Sequence, residues 1–198
     1  MTICYVADTD SQGWLRVKMS DGKIWPLPKF LKLEFTKRKS NRDHFKILEG
    51  RWRGTKASVS AKDSGQPLTS SASYIRRGQP MFRCVLPLKI NITTEQLWYG
   101  RSGPIYAFTD PGNPLPTGTH DLEIPYEPHS LGSSYLSDSE YATTWFRIGH
   151  SGDRFLHPGR VSAGCATVGA VKDWTGIYEY LIKGREDAVS VARIVVEA

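Results

Sequence analysis

Cysteine is scarce in this 198-residue chain, which has three: Cys4, Cys84 and Cys165. An odd number leaves at least one without a partner in the chain. Their wide spacing fits neither a disulfide framework nor a C-x-x-C metal pattern. Long apolar runs are absent too: none reaches the roughly 18 residues a spanning helix needs, so no membrane span is expected. The opening residues, MTICYVADTDSQG, lack a basic start and a sustained apolar core. An ordinary secretory signal is therefore not expected, and the chain reads as made in the cytoplasm. There is no internal repeat.

Acidic residues are in deficit, 20 Asp and Glu against 26 Lys and Arg, giving a net charge of +6. That balance favours anionic partners: nucleic acid, anionic membrane surfaces or a polyanionic cell wall. Much of the excess lies in Lys29–Arg53, where basic and aromatic residues interleave as single-strand binders require. No recognisable nucleic-acid motif accompanies it. The apolar positions Phe30, Leu31, Leu33, Phe35, Phe45, Ile47, Leu48 and Trp52 suit strands carrying solvated Lys and Arg, and nucleic acid is not the expected partner.

The remaining composition is that of a turn-rich globular protein, with 18 Gly, 12 Pro and 39% hydrophobic residues. Residues 1–55 read as short strands, with SDGK at 20–23 as a hairpin turn. The Ser/Gly/Pro-rich stretch at 60–73 reads as a long loop or linker. This divides the chain into a small, basic, β-rich region with linker (1–75) and a main domain (76–198). In the main domain MFRCVLPLKINIT alternates as a strand, and EQLWYGRSGPIYAFTD reads as two strands about a turn. ATTWFRI and RFLH read as strands separated by GHSGD, and AVSVARIVVEA as a last strand. The one helix expected is Val171–Gly184, with Trp174, Ile177, Tyr178, Leu181 and Ile182 on one face. The class is mainly β with one late helix. Cys4 and Cys84, flanked by apolar residues, read as buried strand cysteines.

Chemistry concentrates in WFRIGHSGDRFLHPGRVSAGCATVG, from Trp145 to Gly169. Cys165 stands in a tight small-residue turn with His150 and His157 upstream. A thiol nucleophile needs a neighbour that takes its proton, and imidazole does so near neutral pH. It also needs main-chain N–H groups facing the developing oxyanion, and Gly164 lets the backbone approach a substrate carbonyl closely. His157 follows the strand-like RFL, where a ring is held in one orientation, and is preferred as the base. His150, in an exposed-looking turn, remains the alternative. His120 and His129 lie in Pro-rich loops, where they could face the cleft, though surface positions are favoured. Zinc ligation by Cys165, His150 and His157 lacks a fourth ligand, so neither metal nor cofactor is expected.

The segment H…S-x-G-C, followed by an apolar stretch, resembles the active-site motif of the L,D-transpeptidase catalytic domain (YkuD-like). PLPTGTHDLEI, Pro114–Ile124, is similar to the T-P-T-G segment that precedes it in that family, and the order agrees. The resemblance covers roughly residues 82–197. It implies an L,D-transpeptidase-like β-sandwich, a thioester on Cys165 and an oxyanion site from the Gly164 and Cys165 amides. Ser162 matches the hydroxyl of S-x-G-C; Thr117 and Gly118, beside Pro116, match the upstream loop. The family often has Arg two positions after the cysteine, where this chain has Thr167. Substrate carboxylate recognition then falls to Arg147, Arg154 or Arg160.

The function so implied is acyl transfer on peptidoglycan stem peptides, as L,D-transpeptidase or L,D-carboxypeptidase, according to whether an amine or water resolves the thioester. Lacking an ordinary export signal, such an enzyme would reach the periplasm or wall by specialised secretion, as an antibacterial effector with a delivery or immunity protein as partner. The alternative is a non-catalytic wall- or polyanion-binding protein on a degenerate version of the same fold.

Overall fold

The computed structural model describes residues 1–79, 82–83 and 86–198, with the side chains of Phe82 and Arg83 left aside. Cys84, and its reading as a buried strand cysteine, lies outside the described residues. The fold is mainly β with one late α-helix. The chain forms two compact units, Met1–Met81 and Phe82–Ala198. Among the described residues, no helix is long and apolar enough to cross a membrane.

The first unit is one seven-stranded sheet. Its strands are β1 (Thr2–Val6), β2 (Trp14–Met19), β3 (Ile24–Pro28), β4 (Lys32–Lys39), β5 (Arg42–Ile47), β6 (Lys56–Ser60) and β7 (Ile75–Arg77), in the order β3-β2-β6-β5-β4-β1-β7. Period-2 alternation buries Val17, Met19, Phe45 and Ile47 on one face and turns Arg16, Lys18 and Lys46 outward. The SDGK turn closes β2 on β3, with the Met19 amide donating to the Lys23 carbonyl at 2.8 Å. Cys4 is fully buried, and its thiol donates to the Leu33 carbonyl at 3.7 Å.

The loop after β6 does not leave as a linker. It folds back to β7, which pairs with β1, and is fastened by Arg38. That guanidinium donates to the carbonyls of Gly65, at 2.5 Å, and Ala72, at 2.9 Å, while holding the fully buried Asp43 at 2.7 and 2.8 Å. The Ser73 hydroxyl also donates to Asp43. A buried carboxylate demands such partners.

In the second unit β8 (Phe82–Arg83) precedes β9 (Leu88–Asn91), β10 (Gln96–Tyr99), β11 (Ser102–Phe108), β12 (Gly118–Glu123), β13 (Phe146–Arg147), β14 (Phe155–Pro158) and β15 (Ala166–Val168). A 3₁₀ turn and helix α1 (Trp174–Ile182), then β16 (Gly184–Arg185) and β17 (Ser190–Glu197), complete it. Trp174, Ile177, Tyr178, Leu181 and Ile182 are all buried, as the helical spacing requires. The eight-stranded sheet runs β12-β17-β9-β10-β11-β15-β14-β13, while β8 and β16 form a separate parallel pair. Its outermost strands meet again: Leu122 of β12 bridges to Ile148, just beyond β13, and the Gly149 amide donates to the Asp121 carbonyl at 2.8 Å.

Candidate active site

Strands β14 and β15 are parallel neighbours, with Leu156 opposite Ala166, His157 opposite Thr167 and Pro158 opposite Val168. Seven residues, 159–165, connect them. Parallel neighbours ordinarily need a crossover of a dozen residues or more. Here the strands are so short that seven extended residues, reaching roughly 23 Å, suffice. This return brings Cys165 back beside the start of β14, where the Phe155 amide donates to its sulfur at 3.4 Å. Period-2 geometry then puts Cys165, Thr167 and His157 on one side of the sheet.

Small residues make the return possible. Gly164 has φ +98°, and a Cβ there would lie 2.7 Å from both the side-chain nitrogen and the carbonyl oxygen of Asn113. The loop before β12 thus lies directly on the turn that carries Cys165. Arg154 locks the two together, donating to the carbonyls of Pro114 at 2.8 Å and Gly164 at 2.9 Å and to Asn113 Oδ1 at 2.8 Å. The Ser162 hydroxyl donates to the Cys165 carbonyl at 3.1 Å, a turn-forming bond.

Cys165 and His157 both line a cavity of about 430 Å³, together with His129, Tyr135, Trp145 and Phe155. Leu131 and Val161, 66% and 75% exposed, stand at its edge and extend the apolar wall to the surface. Three rings stack in series along one side. His129 lies 3.5 Å from Trp145, centroid to centroid, and Trp145 lies 4.1 Å from His157. His129, for which the sequence favoured a surface position over a cleft-facing one, is therefore part of the cleft. A Pro-rich context could not decide it; the position depends on its amide donating to the Thr143 carbonyl at 2.7 Å and on the distant Trp145.

His157 is 5% exposed, and burial pushes its imidazole down to about 4, with nearby His129 acting in the same direction. Nδ1 lies 3.0 Å from the Pro158 carbonyl oxygen, which can only accept, so Nδ1 carries the proton. Nε2 is then the basic nitrogen, and it accepts from the Thr167 hydroxyl at 3.1 Å. Burial likewise raises the Cys165 thiol, against the opposing pull of the Phe155 amide; Asp153 adds to the rise and Arg154 counters it. The thiol also reaches the Asp153 carbonyl at 3.8 Å. Both groups therefore favour their neutral forms at rest, thiol and imidazole.

The other expected site residues are distributed differently. His150 is turned away from this cavity, its Nε2 3.3 Å from both Asp121 Oδ2 and Ser190 Oγ. Thr167 is fully buried and engaged with His157, so it does not offer itself as a substrate contact. Thr117 and Gly118 are exposed at the start of β12 and do not line the cavity. Arg160 is exposed, and its main-chain amide donates to the Tyr135 hydroxyl at 3.1 Å. Arg147 borders a second, smaller cavity of about 120 Å³ that shares His129, Trp145 and Phe155 with the first. There it contacts the Tyr126 hydroxyl and lies 3.5 Å from Glu123. No family model matches the chain, and neither a curated protein nor a solved structure matches it.

Proposed function

We propose that the second unit is a cysteine acyltransferase of the L,D-transpeptidase type, acting on peptidoglycan stem peptides, with Cys165 as nucleophile and His157 as base. The observation that carries this reading is the shared cavity: the sulfur and the imidazole open on the same concave, largely apolar space, on the same side of two short parallel strands. The S-x-G-C motif supports this reaction class, because a thiol, a base and a main-chain turn form the minimum for acyl transfer.

In the reaction, the Cys165 thiol gives its proton to His157 Nε2 as sulfur attacks the peptide carbonyl carbon. The Thr167 hydroxyl, which occupies that nitrogen at rest, rotates aside. The Gly164 and Cys165 amides take the oxyanion. Collapse expels the amine, which receives the proton from the imidazolium, and leaves a thioester. An acceptor amine or water then attacks, gives its proton to Nε2 and releases the thiol. Ground-state neutrality makes this a general-base step, with charge separating only during the attack. The apolar walls at Leu131, Tyr135 and Val161 suit an aliphatic stem. Such peptides lie in the periplasm or wall, where the enzyme would act.

A second reading, a wall-binding protein that uses the cleft without turnover, is favoured by the occupied nitrogens of His157 and the raised thiol. One experiment separates the two: incubation of the protein and Cys165→Ala with peptidoglycan fragments, followed by mass spectrometry. Loss of a terminal residue, exchange or dimer formation with the parent alone supports the enzyme. Equal binding by both proteins without product supports the second reading.

A further inference from the structure

The first unit carries an uncompensated cationic face. Paired residues in an antiparallel ladder point to the same side, so the register can be followed across four strands. Lys18 of β2 pairs with Ser58 of β6, and Ser58 pairs with His44 of β5. His44 in turn pairs with Lys37 of β4, while Lys46 pairs with Lys56. Arg16 and Arg42 belong to the same side by alternation along β2 and β5. Lys39 pairs with Arg42 and joins them, so seven cationic side chains form a grid, with spacings of roughly 5 Å across strands and roughly 7 Å along them. Glu34, opposite Lys46, is the one carboxylate on this side of the four strands among the described residues.

The nearby acids are spent elsewhere. Asp43 is buried on the core side with Arg38, and Asp8 is held by Arg76 at 2.8 Å and by Lys62. Among the described residues, no ion pair is formed by any of these cations. Nor is the face flat. Two hollows, of about 350 and about 560 Å³, share Lys18 and Arg42 as lining. Between them Arg42 is held rigid: it donates to Ser58 Oγ at 3.0 Å, Ser60 Oγ at 2.9 Å and the Ser58 carbonyl at 2.9 Å. Three of its five N–H donors are used in fixing it, leaving the rest for a ligand.

We infer that this face binds a linear phosphodiester polymer that carries no bases. Repeated anions on a flexible chain meet several grid cations at once, and each meeting releases counterions. Single-stranded nucleic acid would in addition need open aromatic rings for stacking. Of the Trp and Tyr rings that line the larger hollow, Trp14 is 3% exposed and Tyr74 has the Lys62 ammonium over its ring at 5.1 Å. Phe45 is buried on the core side with Phe35 opposite it.

The probe is fluorescently labelled poly(glycerol phosphate), titrated with the full chain by anisotropy at several salt concentrations. Binding is expected, with the logarithm of the association constant falling linearly against log salt. The variant Arg16→Ala/Lys18→Ala/Lys56→Ala is expected to bind at least tenfold more weakly. Its salt slope should be shallower by about 0.7 for each phosphate that is no longer neutralised. A charge-matched variant off the face, Lys23→Ala/Arg53→Ala/Lys172→Ala, should stay within twofold of the parent. Singly substituted Lys18→Ala and Lys56→Ala, each expected to lose part of the effect, carry the same comparison if the triple variant melts early. Absence of binding, equal weakening by both triple variants, or tighter binding of an oligodeoxythymidylate of equal charge would overturn the inference.

Discussion

Thr167 Oγ1 sits 3.1 Å from His157 Nε2, across two parallel strands and two positions after the cysteine. A hydroxyl donating to the basic nitrogen stabilises neutral imidazole. Removing it by Thr167→Val should move the His157 titration upward from about 4, while Thr167→Ser should leave it nearly in place. Imidazole proton shifts in an NMR pH titration read this directly. An unmoved midpoint in the valine variant would mean that the hydroxyl does not hold the ring.

The same histidine sets an acid limit on stability. Unfolded, it titrates at its ordinary 6.5; folded, at about 4. Between those values only the unfolded chain gains the proton, so stability falls as pH drops through that window. The full loss attributable to this group is on the order of 3 kcal/mol. Urea unfolding at pH 7 and at pH 4.5 should show a larger drop for the parent than for His157→Gln. Equal drops would remove His157 as the cause.

Cys165 should alkylate in the manner of a buried neutral thiol. Its rate with iodoacetamide is expected to climb steadily with pH through the alkaline range, because burial raises the group. Cys4, pushed up to about 12 and fully buried, should lag well behind it. A flat, fast rate at pH 5 to 6 would reveal a standing thiolate–imidazolium pair and contradict the resting state described above.

Gly164→Ala combines positive φ with a collision against Asn113. Strain of this kind costs about 1–3 kcal/mol before the clash is counted. Thermal unfolding should shift down clearly, and adding Asn113→Ala should restore little, since the main-chain oxygen of Asn113 is equally close.

In the first unit, Arg38→Met would strand the Asp43 carboxylate, which is fully buried. Breaking such a pair from one side costs about 3–5 kcal/mol. Asp43→Asn in the same chain should recover part of that loss in denaturant unfolding.

Much of this was legible in the residues, and the exceptions have a common cause. The strands, the SDGK turn and the helix around Trp174 follow from periodicity, a local property. FLHPG located a histidine at a strand end because a strand end is also local. Arg38 is different. In sequence it is one basic residue among many in a stretch read as solvated, yet a β-bulge between Phe35 and Lys37 and the return of residues 60–73 turn it inward onto Asp43. His129 and Trp145 likewise meet only in the folded chain. Thr167 looked like a vacancy where a cation was expected, and becomes intelligible once β14 lies beside β15 and gives the hydroxyl a ring nitrogen to meet.

The bridge from Leu122 to Ile148 also bears on the border of the eight-stranded sheet. A sheet border with unpaired amides is a template on which stray extended chains can grow, and proteins usually guard it with charge, proline or a covering segment. Pairing at Leu122 and Asp121 occupies part of that border on β12, so this stretch should seed strand addition less readily than a fully open edge.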